Sequence, residues 1–225
     1  MKKYLVVNKN FFFKKKLKNT KERKFFFITN KEDLNLKKVN KINPNFIFFP
    51  HWSWKINSKI LKKYNCIGFH STPLPFGRGG SPIQNMVLKG YKKTKICAFQ
   101  IVPKLDSGPI YLRANLDLSG DGYFIFNNMY KSIYNMIVKL IRFTPKPKAQ
   151  KGKITKFKRL SKANSEINKN LSFNNIYNLI RALDMRDKNY LNAYIKLKNI
   201  KVSFTEAKLK KNKIIAKAIL KKINF

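Results

Sequence analysis

Short apolar runs recur along this chain with enough polar sequence between them for a helix, and that spacing limits the fold more than any other feature. The runs are "YLVV" (Tyr4–Val7), "KFFFIT" (Lys24–Thr29), "NFIFFP" (Asn45–Pro50), "CIGFH" (Cys66–His70) and "KICAFQIV" (Lys95–Val102), followed by the extended "PIYLRANLDL" (Pro109–Leu118). "NFIFFP" is continuously apolar, as a strand covered on both faces must be. Between the runs, Ser58–Tyr64 reads as a brief helix with Ser58 as its N-cap. Ser81–Leu88 reads as another, with Pro82 in its first turn and Gly90 as its stop. Tyr123–Phe143 carries apolar residues at helical spacing and is the longest predicted helix. Strands alternating with helices in this way predict an α/β domain on a largely parallel sheet.

Residues 1–143 are expected to form that domain. "TPKPKAQKGK" over 144–153 reads as a linker, since it has Pro, Gly and charge without periodicity. Residues 154–225 then form a small β-containing C-terminal region: a capped amphipathic helix over Ser172–Met185, followed by the strand-like "NAYIKL", "IKVSFTEA" and "KIIAKAIL".

The formal net charge is +40, from 43 Lys and seven Arg against ten acidic residues. A nucleic-acid partner is one reading. Codon bias is the stronger one: Lys, Asn, Ile and Phe share AT-rich codons, there are 26 Asn, and the lysines are spread along the whole chain. A nucleic-acid recognition surface more often favours Arg. Cys66 and Cys97 lie inside apolar runs, which argues against a disulfide framework and for a reducing compartment. Cys66, His70 and Cys97 lack the spacing of a zinc set, so no metal is expected. The basic N-terminus has no long apolar core or small-residue cleavage site, and no run approaches a membrane span, so a soluble cytoplasmic protein is expected.

Special residues concentrate in "IGFHSTPLPFGRGGSPIQN" (Ile67–Asn85), which holds three of the nine prolines and four of the nine glycines. Ligands of parallel α/β sheets bind beyond the carboxyl ends of the strands. His51 follows the third run, His70 ends the fourth, and Asp106 lies in a turn after the fifth. A carboxylate beside a histidine stabilises imidazolium, which suits acyl transfer to an amine: one nitrogen must lose a proton and another must gain one. No G-x-S-x-G elbow is present. "GRGG" (Gly77–Gly80) lets backbone approach a ligand, and Arg78 can pair with an anion, but the segment is neither a P-loop nor a dinucleotide fingerprint.

"FHSTPLPFGRGGSPIQNMVLKG" followed by "TKICAFQIVPKLDSGPIY" resembles the core of the folate-dependent formyltransferases over about fifty residues. Weaker similarity continues to "IYNLIRALD" and "FTEA", whereas the first fifty residues fit only in strand pattern. The resemblance implies a Rossmann-like formyltransferase fold, 10-formyltetrahydrofolate as formyl donor and an amine as acceptor. It makes His70 the catalytic histidine and Asp106 the aspartate that works with it. It places Thr72, Pro73, Leu74 and Pro75 on a loop lining the folate site, and Trp52, Ser53 and Trp54 near the pterin. The backbone from Val102 through Leu105 to Asp106 completes that pocket, and Arg78, Gly79 and His51 fall on the acceptor side. Trp52 and Trp54 suit a core or lid role equally, and Pro73 and Pro75 suit a simple turn. The favoured acceptor is a nucleotide-linked amino sugar, because the C-terminal region is short; methionyl-tRNA is the alternative. A formyltetrahydrofolate hydrolase and a non-catalytic basic RNA-binding protein are the rivals.

One position departs from the family pattern. Two residues before the histidine, on the same strand face, the family carries an asparagine, and this chain carries Gly68. Asn65 has the wrong parity to replace it. Loss of an oxyanion donor costs on the order of 10²–10³ in rate unless another group takes its place.

Overall fold

The computed structural model describes residues 1–186 and 191–223. Its elements run β1 (Lys2–Val7), α1 (Phe12–Lys16), β2 (Arg23–Ile28), α2 (Leu36–Ile42), β3 (Phe46–Phe49), α3 (Ser58–Lys63), β4 (Cys66–His70), β5 (Arg78–Gly79) and α4 (Pro82–Leu88). They continue with β6 (Lys93–Gln100), β7 (Ile110–Asp117), α5 (Gly122–Phe143), β8 (Lys156–Phe157), α6 (Phe173–Leu183), β9 (Ala193–Leu197), β10 (Ile200–Lys210) and β11 (Lys213–Lys222). Every strand expected from the apolar runs is present.

Three expectations change in detail. Helices α1 and α2 have no counterpart in the sequence pattern. The first has five residues and no capping side chain. The second is started by Asn35, whose Oδ1 accepts from Lys38 N at 2.9 Å, with only Val39 fully buried. A lysine-rich segment with one buried apolar residue gives no periodic signal. The cap of α3 is Asn57, whose Oδ1 accepts from Lys59 N at 2.9 Å, rather than Ser58. The α4 helix does begin on Pro82, and Gly90, at φ +79°, ends the following turn.

The main sheet has the order β2-β1-β3-β4-β6-β7. The pairs β1–β2, β1–β3 and β3–β4 are parallel, whereas β6 runs antiparallel to β4. The sheet is therefore largely parallel with a reversal next to β4, the strand that ends on His70. Alternate strand residues pack on opposite faces. Leu5, Val7, Ile47, Phe49 and Cys66 gather with Val39 of α2 and Ile60 of α3 in one core cluster. Tyr4 and Phe48, of the other parity, pack with their rings 6.2 Å apart.

The chain divides into two compact units. The first comprises Met1–Arg78, Lys95–Asn115 and Met129–Lys156; the second comprises Gly79–Thr94, Leu116–Asn128 and Phe157–Phe225. Within the second, β9, β10 and β11 form an antiparallel sheet, order β11-β10-β9. Leu179, Ile180 and Leu183 of α6 pack with Ala193 of β9 and Phe204 of β10. Ser172 caps α6, its Oγ accepting from Asn175 N at 3.3 Å. No helix among the described residues is long and apolar enough to cross a membrane.

Candidate active site

The parallel register pairs Phe49 of β3 with Gly68 of β4. His51 and His70 each lie two residues further along, so both stand at the carboxyl edge of adjacent strands, as the apolar runs predict. Their surroundings differ. His51 is exposed, has φ +49°, and lies 3.1 Å from the Tyr130 hydroxyl through Nδ1. His70 is only 6% exposed.

The loop after β4 returns on His70. Its Nε2 lies 2.7 Å from the Gly77 carbonyl oxygen. A carbonyl can only accept, so Nε2 carries a proton in every charge state of the ring, and Nδ1 is left as the nitrogen that gains and loses one. Nδ1 lies 3.6 Å from Asp106 Oδ2, an ion-pair distance longer than a good hydrogen bond. The structure thus brings together two side chains 36 residues apart in sequence, from the end of β4 and from the turn after β6.

The loop that delivers the Gly77 carbonyl is tightly held. Thr72 is fully buried, and its Oγ1 also donates to Gly77 O at 3.3 Å. Cys97 Sγ donates to Thr72 O at 3.2 Å, and Arg113 Nη2 donates to Leu74 O at 3.3 Å. Leu74 packs with Cys97, Phe99 and Ile110; Pro75, preceded by a cis peptide bond, is buried, and Pro73 is half-buried. Gly77 sits at φ +69°, and its N–H donates to Thr155 Oγ1 at 2.7 Å. Gly79, at φ +111°, has no room for a side chain: a Cβ there would lie 2.4 Å from the Phe157 carbonyl.

Asp106 also has a positive φ, +48°. Two residues on, Gly108 passes so close to β6 that a Cβ would lie 1.7 Å from Gln100 O, so only glycine lets the turn close there. In the same turn Val102 is half-buried, whereas Leu105 is 69% exposed.

Arg78 does not project outward as an anion partner. It is buried, and its Nε and Nη2 donate to Gln150 Oε1 at 3.2 and 2.6 Å. Gln150 Nε2 in turn donates to Asp106 O and Gly108 O, both at 2.8 Å. Sequence reasoning missed Gln150 and Thr155, because a Pro/Lys/Gly-rich segment without periodicity reads as spacer. The available signal was one uncharged amide, Gln150, among lysines.

Trp52 packs against the β3 core, its ring 6.4 Å from Phe49 and 4.6 Å from Trp54. Its indole Nε1 is buried and has no hydrogen-bond partner among the described residues. Lys9 Nζ lies 3.9 Å above the Trp54 ring, and Ser53 is exposed. Burial pushes the Cys66 thiol up to about 12. Burial also raises Cys97, against the lowering effect of the Leu74 backbone and Arg113. Both stay protonated at neutral pH and offer no thiolate nucleophile. No group of three His, Cys, Asp or Glu side chains fit for a metal occurs among the described residues.

The space in front of Gly68 is filled. Phe99 faces it across the antiparallel ladder. A Cβ on Gly68 would meet Phe99 Cε1 at 2.9 Å, Phe99 Cζ at 3.0 Å and Ile101 Cγ1 at 3.1 Å. An aromatic ring and an isoleucine therefore stand where a polar side chain at position 68 would begin.

Residues 162–221 match the family described as methionyl-tRNA formyltransferase, C-terminal domain. The solved methionyl-tRNA formyltransferase from Clostridium thermocellum is 37% identical and superposes with a TM-score of 0.91 over 99% of this chain and 100% of that one. A methionyl-tRNA formyltransferase from Sulfurihydrogenibium sp. is 27% identical over 191 residues, which is 81% of this chain. The chain spans 60% of the length of that relative. A sugar N-formyltransferase from a Shewanella species shares the fold, with a TM-score of 0.68 at 18% identity, over 94% of this chain and 100% of that one.

Proposed function

The chain belongs to the folate-dependent formyltransferases, and on that premise we propose that it transfers a formyl group from 10-formyltetrahydrofolate to the amine of methionyl-tRNA. The observation that carries the transfer chemistry is the His70–Asp106 pair, with the Gly77 carbonyl holding the proton on Nε2. The donor supplies the activated formyl carbon. His70 Nδ1 receives the proton that the attacking amine loses and returns it to the departing folate nitrogen. The Asp106 carboxylate faces the ring while it carries the extra charge.

Two features fit a folate. The Trp52 indole N–H is buried and has no partner among the described residues, so a ligand acceptor atom would satisfy it. The exposed Leu105 side chain offers apolar surface in the turn that carries Asp106. With Gly68 in place of the family asparagine, a backbone N–H, a water or the protonated His70 must meet the negative charge on the formyl oxygen.

The acceptor preference differs from the one the sequence favours. A nucleotide-linked amino sugar is favoured there because the C-terminal region is short. That region nevertheless matches the tRNA enzymes' C-terminal domain over 162–221, whereas the likeness to a sugar enzyme at 18% identity is one of fold. Methionyl-tRNA is therefore the better-supported acceptor.

The test supplies purified protein with 10-formyltetrahydrofolate and, in separate reactions, methionyl-tRNA, a nucleotide-linked amino sugar, or no acceptor, and follows tetrahydrofolate release. Release only with methionyl-tRNA supports the proposal, and release only with the sugar restores the other acceptor. Acceptor-independent formate release marks a hydrolase. Steeply salt-dependent RNA affinity without folate binding marks a non-catalytic binder. His70→Ala is expected to lower turnover by at least about 100-fold; unchanged turnover would remove His70 from the mechanism.

A further inference from the structure

Two separate loops set the His70–Asp106 geometry. One runs from Ser71 to Arg78 and presents the Gly77 carbonyl to Nε2. The other presents Asp106 from a turn at φ +48°, a conformation that a residue with a side chain holds only when its surroundings fix it. Gln150 bonds to both loops through opposite ends of one amide. Its oxygen accepts from Arg78 Nε and Nη2, and its nitrogen donates to Asp106 O and Gly108 O.

The chemistry of the partners fixes the amide's orientation. A guanidinium can only donate and two carbonyls can only accept, so the amide oxygen must face Arg78 and the NH₂ must face the turn. A carboxylate at this position would keep Arg78 and repel both carbonyls, and an ammonium would do the reverse. Among side chains of this length, only the amide carries an acceptor and two donors at one terminus.

We propose that Gln150 is a positioning residue for the His70–Asp106 pair, locking the Asp106 turn to the Arg78 loop so that the carboxylate and the imidazole meet. This rests on the formyl-transfer reading for its kinetic consequence, but not for its structural one. Gln150 acts through Arg78 and through the carbonyls either side of Ser107.

The experiment compares the wild-type chain with Gln150→Glu, which is isosteric and keeps only the Arg78 side, and Gln150→Ala, which keeps neither. Two readouts are taken. The first is kcat and KM for the acceptor at fixed donor. Both variants are expected to lose at least about tenfold in kcat, with KM changed by less than about threefold, since misplacement of a catalytic pair acts on the transition state. The second is the ring NMR signals of isotope-labelled histidine. The chain has two histidines, so His51 serves as an internal control for His70. The His70 ring signals are expected to move in both variants while those of His51 stay in place. Unmoved His70 signals, or kcat within twofold of wild type, would overturn the proposal. If wild type transfers no formyl group to any acceptor, the functional reading fails, and the His70 signals alone decide the role of Gln150. Should Gln150→Ala not fold, Gln150→Glu carries both readouts.

Discussion

Gly68 and Phe99 form a pair that is legible only in part from the sequence. The glycine is visible two residues before His70. The ring in front of it is not, because it comes from a strand whose antiparallel register with β4 has no local signature. Restoring the family's asparagine by Gly68→Asn is therefore expected to destabilise rather than repair. The new side chain would collide with Phe99 and Ile101, and overpacking of this kind costs about 1–3 kcal/mol. Denaturant unfolding of Gly68→Asn should show that loss, with no gain in turnover. Phe99→Ala empties a core position and costs about 3–5 kcal/mol by itself, but in that background the added Asn is expected to cost less than it does alone, which a double-mutant cycle reads; a Gly68→Asn variant as stable as wild type would show that the ring swings aside freely. The pairing of His70 with Asp106 was legible because both follow apolar strands and both sit beside glycines. The Gly77 carbonyl on Nε2 was not, since no composition or spacing rule says where a loop carbonyl will turn.

At the level of elements, apolar runs marked the strands and helical periodicity marked α5 and α6. Short lysine-rich helices escaped, because one buried residue does not make a period. Arg181 escaped for a different reason. In "IYNLIRALD" it looks like the polar side of an amphipathic helix, yet it is only 3% exposed. Its Nη1 donates to Leu118 O at 2.7 Å and to Gly120 O at 2.9 Å, and its Nε donates to Asn178 at 3.0 Å. Burial draws the guanidinium down from its ordinary value, against Tyr177, which raises it. Arg181→Met would fill similar space but leave the buried Leu118 carbonyl without this donor. It is expected to lower stability by about 2–4 kcal/mol. Arg142→Met, on the exposed end of α5, should stay within about 0.5 kcal/mol. Equal losses in the two would mean that the Arg181 network contributes nothing beyond its bulk.

For the whole molecule the net charge of +40 has a direct consequence. Lysines spread along the chain repel one another in the compact state more than in the expanded one. Raising sodium chloride from about 0.01 M to about 0.1 M shortens the screening length from roughly 30 Å to roughly 10 Å. The melting temperature is therefore expected to rise by several degrees over that range, as thermal unfolding at a series of salt concentrations would reveal. A flat response would mean that the lysines lie too far apart to feel each other. The charge itself was legible in full from the composition. Which lysines approach one another was not, because that depends on the folded surface.

The stretch from Lys148 to Thr155 alters how this protein can be taken apart. Its backbone exchanges hydrogen bonds with Ile110, and Gln150 and Thr155 bond to the loops around His70 and Asp106. Trimming the chain after Phe143, where a designer would naturally cut, would leave every proposed reactive group in the fragment while discarding the brace that aligns them. A minimal version of this protein should thus retain the segment through Thr155, and a nick at Lys151 or Lys153 would strike the machinery rather than a tether.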